Sequence, residues 1–596
     1  LGKKDNLMHL LLLLSLLIPS APIGIIKSSD LKPGMKGYGL TVFRGTVPEK
    51  FDVEVISVIP NGLGMIKQNL ILVRCKHKIT DHAGIIAGMS GSPIYINGKF
   101  AGGLGYGFSF QKDPIAMLTP AEAIVGTIKR PVKKHDPWGR PLSSTFSKLW
   151  GNSRLATAWK MVNMNTGTMV RPLTVSLSVG GMTGALFSKM FPSLLPMGPV
   201  IPSGTSAALM KTAPTKFVAG GPVAVWLVSG DINVAAIGTV THIMGNKIAI
   251  FSHPFQAMGD TRMPTAHAYI HTVIARRSSS MKLGTMTRPH GTLIKDEQAT
   301  VVLDESLDAG SMPMTVEITG LGEKRRTFKY RVAKNRFITP RMVDGLVRVS
   351  MMKYYQNMTD LTYTLNYEFK LAGMKPVSFS DSFSSSSGII LGWGFFGYGN
   401  YSARGMLAIN LLLNNPYKRV ALEYVKVKAH IVRGLNQYKI VSLDVPSPEV
   451  RVDTEIPIKV RLKPMIGKDI FQTIKIRLPK TFKGTRVTFQ VASGRYTPVE
   501  EAQPKNLTQL VHFITQTMDS HNLVLSVKTP SPAIDIEGVR IRKVPLSILD
   551  SLVRHTAGVM RRVEQTLLRT VIRTPQVMSG KAVITVLVKH KENEAQ

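Results

Sequence analysis

A chain of 596 residues exceeds what one hydrophobic core organises, so several domains are predicted. Its composition, 44% hydrophobic and 19% charged with 51 Gly and 36 Pro, excludes wholesale disorder and favours many short strands joined by turns. The formal net charge of +38 draws the chain towards anionic surfaces, but its basic residues are spread along the sequence, and without a helix-turn-helix, zinc-finger or RNP-type pattern no specific nucleic-acid partner is predicted.

The N-terminus places Lys3 and Lys4 before an apolar run from Leu7 to Ile18, followed by Pro19, Ser20 and Ala21. That order matches a secretory signal peptide over 1–21, and the run is short of the roughly 20 residues that span a bilayer. Pro22 directly after Ala21 leaves an uncleaved N-terminal anchor as the alternative. Export to the periplasm, cell envelope or outside is therefore predicted. For an exported protein the counterpart of the positive charge is anionic lipid or envelope polymer, with a generally basic proteome as the bland alternative. The single cysteine, Cys75, forbids an intramolecular disulfide and reads as a strand residue within the apolar run Leu70–Cys75.

From 30 to 130 short β-rich runs alternate with turns: Tyr38–Arg44, Phe51–Ile59, Leu70–Arg74, Pro93–Ile96 and Phe100–Gly105. Asn97-Gly98 between the last two is a two-residue hairpin signal, because both residues accept positive φ. A short helix is predicted over Thr119–Val125. Residues 131–199 read as a basic linker or insertion. Strands resume over 200–345, with Val223–Val228, Ile237–His242 and Lys247–Phe251 separated by Gly230-Asp231 and Gly245-Asn246. Arg325–Val332 and Leu346–Met352 extend the series. Residues 346–490 form a β-sandwich-like module, with a Ser, Gly and aromatic stretch at 378–405 as a boundary or long loop, followed by strands Tyr417–Val432, Lys439–Val445 and Thr454–Leu462. Residues 491–596 alternate a helical pattern (Leu507–Thr517), a strand (Leu523–Val527) and a second helical pattern (Ser547–Met560), and so read as an α+β module.

The stretch Gly88-Met89-Ser90-Gly91-Ser92-Pro93 is a candidate nucleophile turn. Flanking glycines permit a tight turn that aims successive amides at one point; in a trypsin-type geometry the amides of Gly88 and Ser90 would hold an oxyanion. A plain glycine-rich hairpin is the alternative reading of the hexapeptide. His267 and His271, spaced i, i+4, read as ordinary histidines and not as a metal pair, because no carboxylate completes a HExxH-type motif. His82 beside Asp81 reads as a loop histidine.

Several separate motifs resemble the stage IV sporulation protein B (SpoIVB) family of serine peptidases: Met35–Gly45, Gly84–Tyr95, Gly238-Thr239-Val240-Thr241, Phe251-Ser252-His253-Pro254-Phe255 and Met281-Lys282-Leu283-Gly284. The resemblance covers roughly 33 to 340. It implies a mainly β chain with a trypsin-like β-barrel peptidase domain in two parts, 30–130 and 200–345. It also implies Ser90 as nucleophile, His253 as general base, a protein or peptide substrate, and no metal or organic cofactor. Ser90 precedes His253, the reverse of the family namesake, so a permuted order is predicted; triads are defined by geometry, not chain order. Ser252 stands where the family usually has Gly. The family's acid position falls at Cys75, leaving Asp81, Asp231 and Asp260 as candidates for an orienting carboxylate around a Ser90–His253 dyad. A catalytically inactive envelope scaffold that keeps the peptidase fold is the alternative function.

Overall fold

Alternation of apolar and charged residues builds the first strands: within Glu49–Ile59, Phe51, Val53 and Val55 are buried while Asp52 and Glu54 stay in water. The computed structural model describes residues 24–62, 68–108, 113–132, 138, 170–191, 198–204, 207–277, 279–357, 359–386, 404–497, 499, 504–536, 539–542 and 559–590. The signal peptide expected over 1–21, much of the 131–199 insertion and positions 547–558 of the second expected C-terminal helix lie outside these residues, and the last two positions of that expected helix, Val559 and Met560, open strand Val559–Arg573 instead. Spatial contacts divide the chain into two units, one of 1–137 and 161–310, the other of 138–160 and 311–596.

The first unit contains β1 (Lys36–Thr41), β2 (Glu49–Ile59), β3 (Leu70–Lys76), β4 (Ile86–Ala87), β5 (Pro93–Ile96), β6 (Lys99–Phe108), β7 (Ile115–Pro120) and β8 (Val170–Pro172). These are followed by β9 (Ser176–Gly180), β10 (Val200–Ser203), β11 (Pro222–Gly230), β12 (Asn233–Met244), β13 (Lys247–Ile250), β14 (Gly259–Ile274), β15 (Ser280–Asp296) and β16 (Val301–Asp304). Strands β1, β2, β3, β7, β6 and β5 pair in that order, every neighbour antiparallel, and β5 returns to β1, so the sheet closes into a barrel. Strands β11, β12, β13, β16, β15 and β14 close a second ring in the same way. Closure leaves neither ring with an unpaired edge. The chain is thus mainly β, with the trypsin-like barrel architecture that the sequence motifs imply.

Each barrel is filled by its inward residues. Phe51, Val53, Val55, Ile71, Val73, Ile94 and Leu118 share the first core, and Ala224, Trp226, Ile237, Ala266 and Ile270 the second. Burying one such large aliphatic or aromatic side chain stabilises by roughly 1.5–3 kcal/mol, which makes these clusters the main support of the frame. Asn97 and Gly98, at φ +49° and +73°, form the β5–β6 hairpin with Ile96 opposite Lys99, as their chemistry predicts.

Two connections position the candidate site. Short strand β4 pairs in parallel with β15 of the second barrel, Ile86 opposite Ser280, before the chain crosses into β5 of the first barrel. Residues 251–258 leave β13 and return into β14. Ser90 and His253 lie on these two connections.

In the second unit, strands Met312–Gly320, Glu323–Val332, Leu361–Leu371, Val377–Ser385 and Leu422–Arg433 share one sheet. Leu346–Met352, expected as a strand, lies inside helix Thr339–Tyr354. Pro340 opens that helix, and twelve of its sixteen residues are buried, as in a helix enclosed by the core. Two further sheets enclose a core of Ile440, Ile458, Val460, Phe489, Leu523, Leu525 and Val586, a β sandwich drawn from strands between Gln437 and Lys589. Helix Leu507–Thr515 and the strand containing Leu523–Val527 fall where the sequence pattern places them.

Candidate active site

The candidate nucleophile turn owes its shape to its glycines. Gly88 and Gly91 both have φ of +95°, and a Cβ on Gly91 would stand 2.2 Å from the Thr239 carbonyl oxygen. The turn is tied internally by the Met89 amide to the Ile86 carbonyl and the Ser92 amide to the Met89 carbonyl, both at 2.9 Å. Thr239 of β12 clamps it from the second barrel. The Thr239 amide donates to the Ser90 carbonyl (2.9 Å), its hydroxyl donates to the Gly88 carbonyl (2.8 Å), and its own carbonyl accepts from the Phe251 amide (3.3 Å). One residue therefore holds both the nucleophile turn and the histidine-bearing segment.

Ser90 Oγ lies 2.5 Å from His253 Nε2 and 2.8 Å from the Phe251 carbonyl oxygen. On the other side of the ring, Nδ1 is 2.7 Å from the Pro254 carbonyl oxygen, and the Leu173 carbonyl also acts on the ring. The Pro254 carbonyl accepts only, so Nδ1 carries the proton and Nε2 is bare; the single hydroxyl proton of Ser90 then lies between two acceptors, Nε2 and the Phe251 carbonyl. Burial lowers the His253 pKa to about 4 against the opposing pull of these carbonyls, so the ring is neutral at physiological pH. This is the protonation state a general base needs.

The segment preceding His253 has unusual backbone. Phe251 and Ser252 have φ of +67° and +53°, left-handed values that side-chain-bearing residues rarely adopt. Ser252 thus keeps the conformation that the glycine of the resembling family would supply without strain. It fits because Gly103 of β6 has no side chain: a Cβ there would stand 1.9 Å from Ser252 Oγ. The Thr119 hydroxyl donates to the Ser252 carbonyl at 2.6 Å, and the Ser252 and Thr241 hydroxyls are 3.1 Å apart.

None of Asp81, Asp231 and Asp260 is among the partners of His253, which are Ser90 and the two carbonyls. Asp81 is exposed on helix Lys78–Ala83, Asp231 is exposed in the β11–β12 turn, and Asp260 on β14 lies opposite Lys295. Cys75 is fully buried in β3, and burial raises its thiol pKa to about 12. Sequence reasoning missed Asp296. Its carboxylate, buried at the end of β15, accepts from the amides of Phe255 (2.7 Å), Gln256 (2.7 Å) and Met258 (3.1 Å), within the segment that His253 begins. Its partners are main-chain groups, so no residue spacing announces it.

Lys282 is also buried here. Its Nζ is 2.7 Å from Thr41 Oγ1 and 3.4 Å from Thr239 Oγ1, and burial lowers its pKa to about 7. Among the described residues no group of three or more His, Cys, Asp or Glu side chains is arranged to hold a metal ion. His267 and His271 lie on β14; His267 stacks on Phe217, and His271 Nε2 pairs with Thr285 Oγ1 at 2.8 Å.

The site is enclosed. Ser90 has no exposed surface and His253 only 4%, and the Gly88 amide, one of the two expected oxyanion donors, already donates to the Thr174 carbonyl at 3.2 Å.

Residues 17–114 match the family model of the SpoIVB peptidase S55. The chain therefore carries a SpoIVB-peptidase-like segment, which includes the Ser90 turn but ends before His253. No curated protein and no solved structure gives a significant match. Within the described residues no helix is long and apolar enough to cross a membrane.

Proposed function

We propose that this chain is an exported serine endopeptidase that cleaves protein substrates through an acyl-enzyme on Ser90, with His253 as general base. The observation that carries the reading is the 2.5 Å approach of Ser90 Oγ to a neutral His253 whose other nitrogen is held by the Pro254 carbonyl. The family match around Ser90 supports it, and the basic and apolar N-terminal residues support export. As Ser90 Oγ attacks the scissile carbonyl, its proton passes to Nε2. The amides of Gly88 and Ser90 receive the oxyanion, and the imidazolium then protonates the leaving amine. Water repeats the sequence on the acyl-enzyme. For the scissile carbonyl to reach the Gly88 amide, the Thr174 carbonyl has to yield its place.

The test is labelling of the purified chain by a fluorophosphonate probe. Wild type is expected to label, with Ser90→Ala blank and His253→Gln slowed by at least a hundredfold. Equal labelling of wild type and Ser90→Ala would overturn the assignment. A second reading, a non-catalytic envelope scaffold, is favoured by the enclosure of Ser90 and by the occupied Gly88 amide. It predicts a folded wild type that stays unlabelled and binds anionic envelope polymer or lipid through its positive charge, in a salt-sensitive way that Ser90→Ala leaves intact.

A further inference from the structure

A triad carboxylate orients the catalytic imidazole by bonding its Nδ1–H. In this chain Nδ1 faces the Pro254 carbonyl, so the ring's position depends on the main chain that carries it. That main chain is unusual. Phe251, Ser252 and Ala257 all have left-handed φ, at +67°, +53° and +52°, a conformation that costs each non-glycine residue about 1–2 kcal/mol and persists only where the surroundings enforce it. The enforcing group is close by. Three amides of the same segment, from Phe255, Gln256 and Met258, converge on the two carboxylate oxygens of Asp296. Asp296 is itself fixed at the end of β15, between Gly259 of β14 and Val301 of β16, with 1% of its surface exposed. Hydrogen bonds to an ionised acceptor are roughly twice as strong as neutral ones, so three of them on one buried carboxylate make a firm anchor.

From this geometry we infer that Asp296 is a positioning residue for the reaction proposed above, holding the main chain of residues 254–258 so that the His253 ring stays against Ser90. It performs through the backbone the orienting task that a triad acid performs on the ring directly. The inference rests on the peptidase reading.

The charges around Asp296 are few. Glu297 follows it and pairs with Arg130; Lys295 precedes it and directs its ammonium to the Thr127 and Arg130 carbonyls; Asp260 lies across from Lys295 on β14. His253 stands at the start of the anchored segment, and residues 255–258 carry no titratable side chain. The charge of Asp296 is therefore met by amide dipoles. Burial raises its pKa to about 6, against the pull of the three amides. Protonation below that pH weakens the anchor, because a carboxylic acid accepts less strongly and adds a donor where only donors point at it.

The experiment is the rate of fluorophosphonate labelling of the full chain from pH 4 to 8, for wild type, Ser90→Ala and Asp296→Asn, with cooperative unfolding checked in each. Wild type is expected to lose rate as pH falls through about 6. Asp296→Asn should label at least tenfold more slowly at pH 7.5, with its acid limb moved towards about 4, where His253 itself titrates. If wild type labels at Ser90 and Asp296→Asn matches it in rate and pH profile, the positioning role is wrong and the peptidase reading stands. If wild type does not label in a Ser90-dependent way, the peptidase reading fails and this inference with it. Should Asp296→Asn not fold, wild type decides: an acid limb near 6 supports the inference, and one near 4 overturns it.

Discussion

Thr239→Val removes one hydroxyl from the residue that joins the nucleophile turn to the histidine segment while keeping shape and backbone bonds. The Gly88 carbonyl loses the 2.8 Å donor it has in the buried turn, at a cost of roughly 1–3 kcal/mol for an acceptor left unmet. Lys282 loses only its longer contact, 3.4 Å, and keeps Thr41 at 2.7 Å, which adds at most about 1 kcal/mol. Together these give about 1–4 kcal/mol, or about 2–16 °C in Tm at the roughly 2–4 °C per kcal/mol typical of large domains. Thr239→Ser retains the hydroxyl and gives up one methyl, about 1 kcal/mol. Calorimetry of the three proteins measures the stability order, and fluorophosphonate labelling measures whether the turn still presents Ser90. The expected order for both is wild type, then Ser, then Val, with labelling of the Val variant slowed at least tenfold. Coincident melting of Thr239→Val and wild type, or equal loss in the Ser and Val variants, would refute the clamp.

Gly91→Ala forces a side chain into a φ of +95° and against the Thr239 carbonyl oxygen; it is expected to abolish labelling and lower stability by more than about 3 kcal/mol, and a wild-type denaturation midpoint would count against the turn geometry. Lys282 is pushed down to about 7 when folded and titrates near 10.4 when unfolded, so between those values the unfolded chain binds more protons and stability rises with pH. Urea unfolding at pH 7, 8 and 9 should show that rise in wild type and lose it in Lys282→Met; parallel curves would show that the ammonium is not desolvated in the folded state.

What was readable in the sequence was chemistry that acts locally. Asn97-Gly98 and the glycines around Ser90 adopt positive φ because few other residues can, so their turns are visible without tertiary context. The closure of each six-stranded ring was less visible, since it depends on β5 meeting β1 and β11 meeting β14, pairings between strands far apart in the sequence. Two segments were misread for identifiable reasons. Leu346–Met352 is apolar enough for a strand, but it continues a helix that opens at Pro340 and is buried on nearly every side, so its apolar run carries no period to tell the two apart. The serines of 378–385 looked like loop material, yet they lie in a strand where Ser382 and Ser384 pair their hydroxyls with Thr364 and Thr362 opposite, at 3.0 and 2.7 Å. Asp296 was hidden for another reason: a carboxylate that serves main-chain amides leaves no mark on the identity of the residues it serves.

The substitution of carbonyls for a triad acid has a definite chemical consequence. In trypsin-type enzymes, exchanging the aspartate for asparagine costs about 10⁴ in turnover because the histidine is held in the wrong tautomer. The Pro254 carbonyl on Nδ1 holds the right one, so that part of the loss does not arise here. What a carbonyl lacks is a negative charge to stabilise the imidazolium, so the lowering of the His253 pKa to about 4 by burial is only partly opposed. A weak base at a well-fixed position accelerates attack mainly through geometry, and the geometry here depends on Thr239 on one side and Asp296 on the other. Rate in this chain should therefore respond more to the groups that hold the two connections in register than to carboxylates placed nearer the ring.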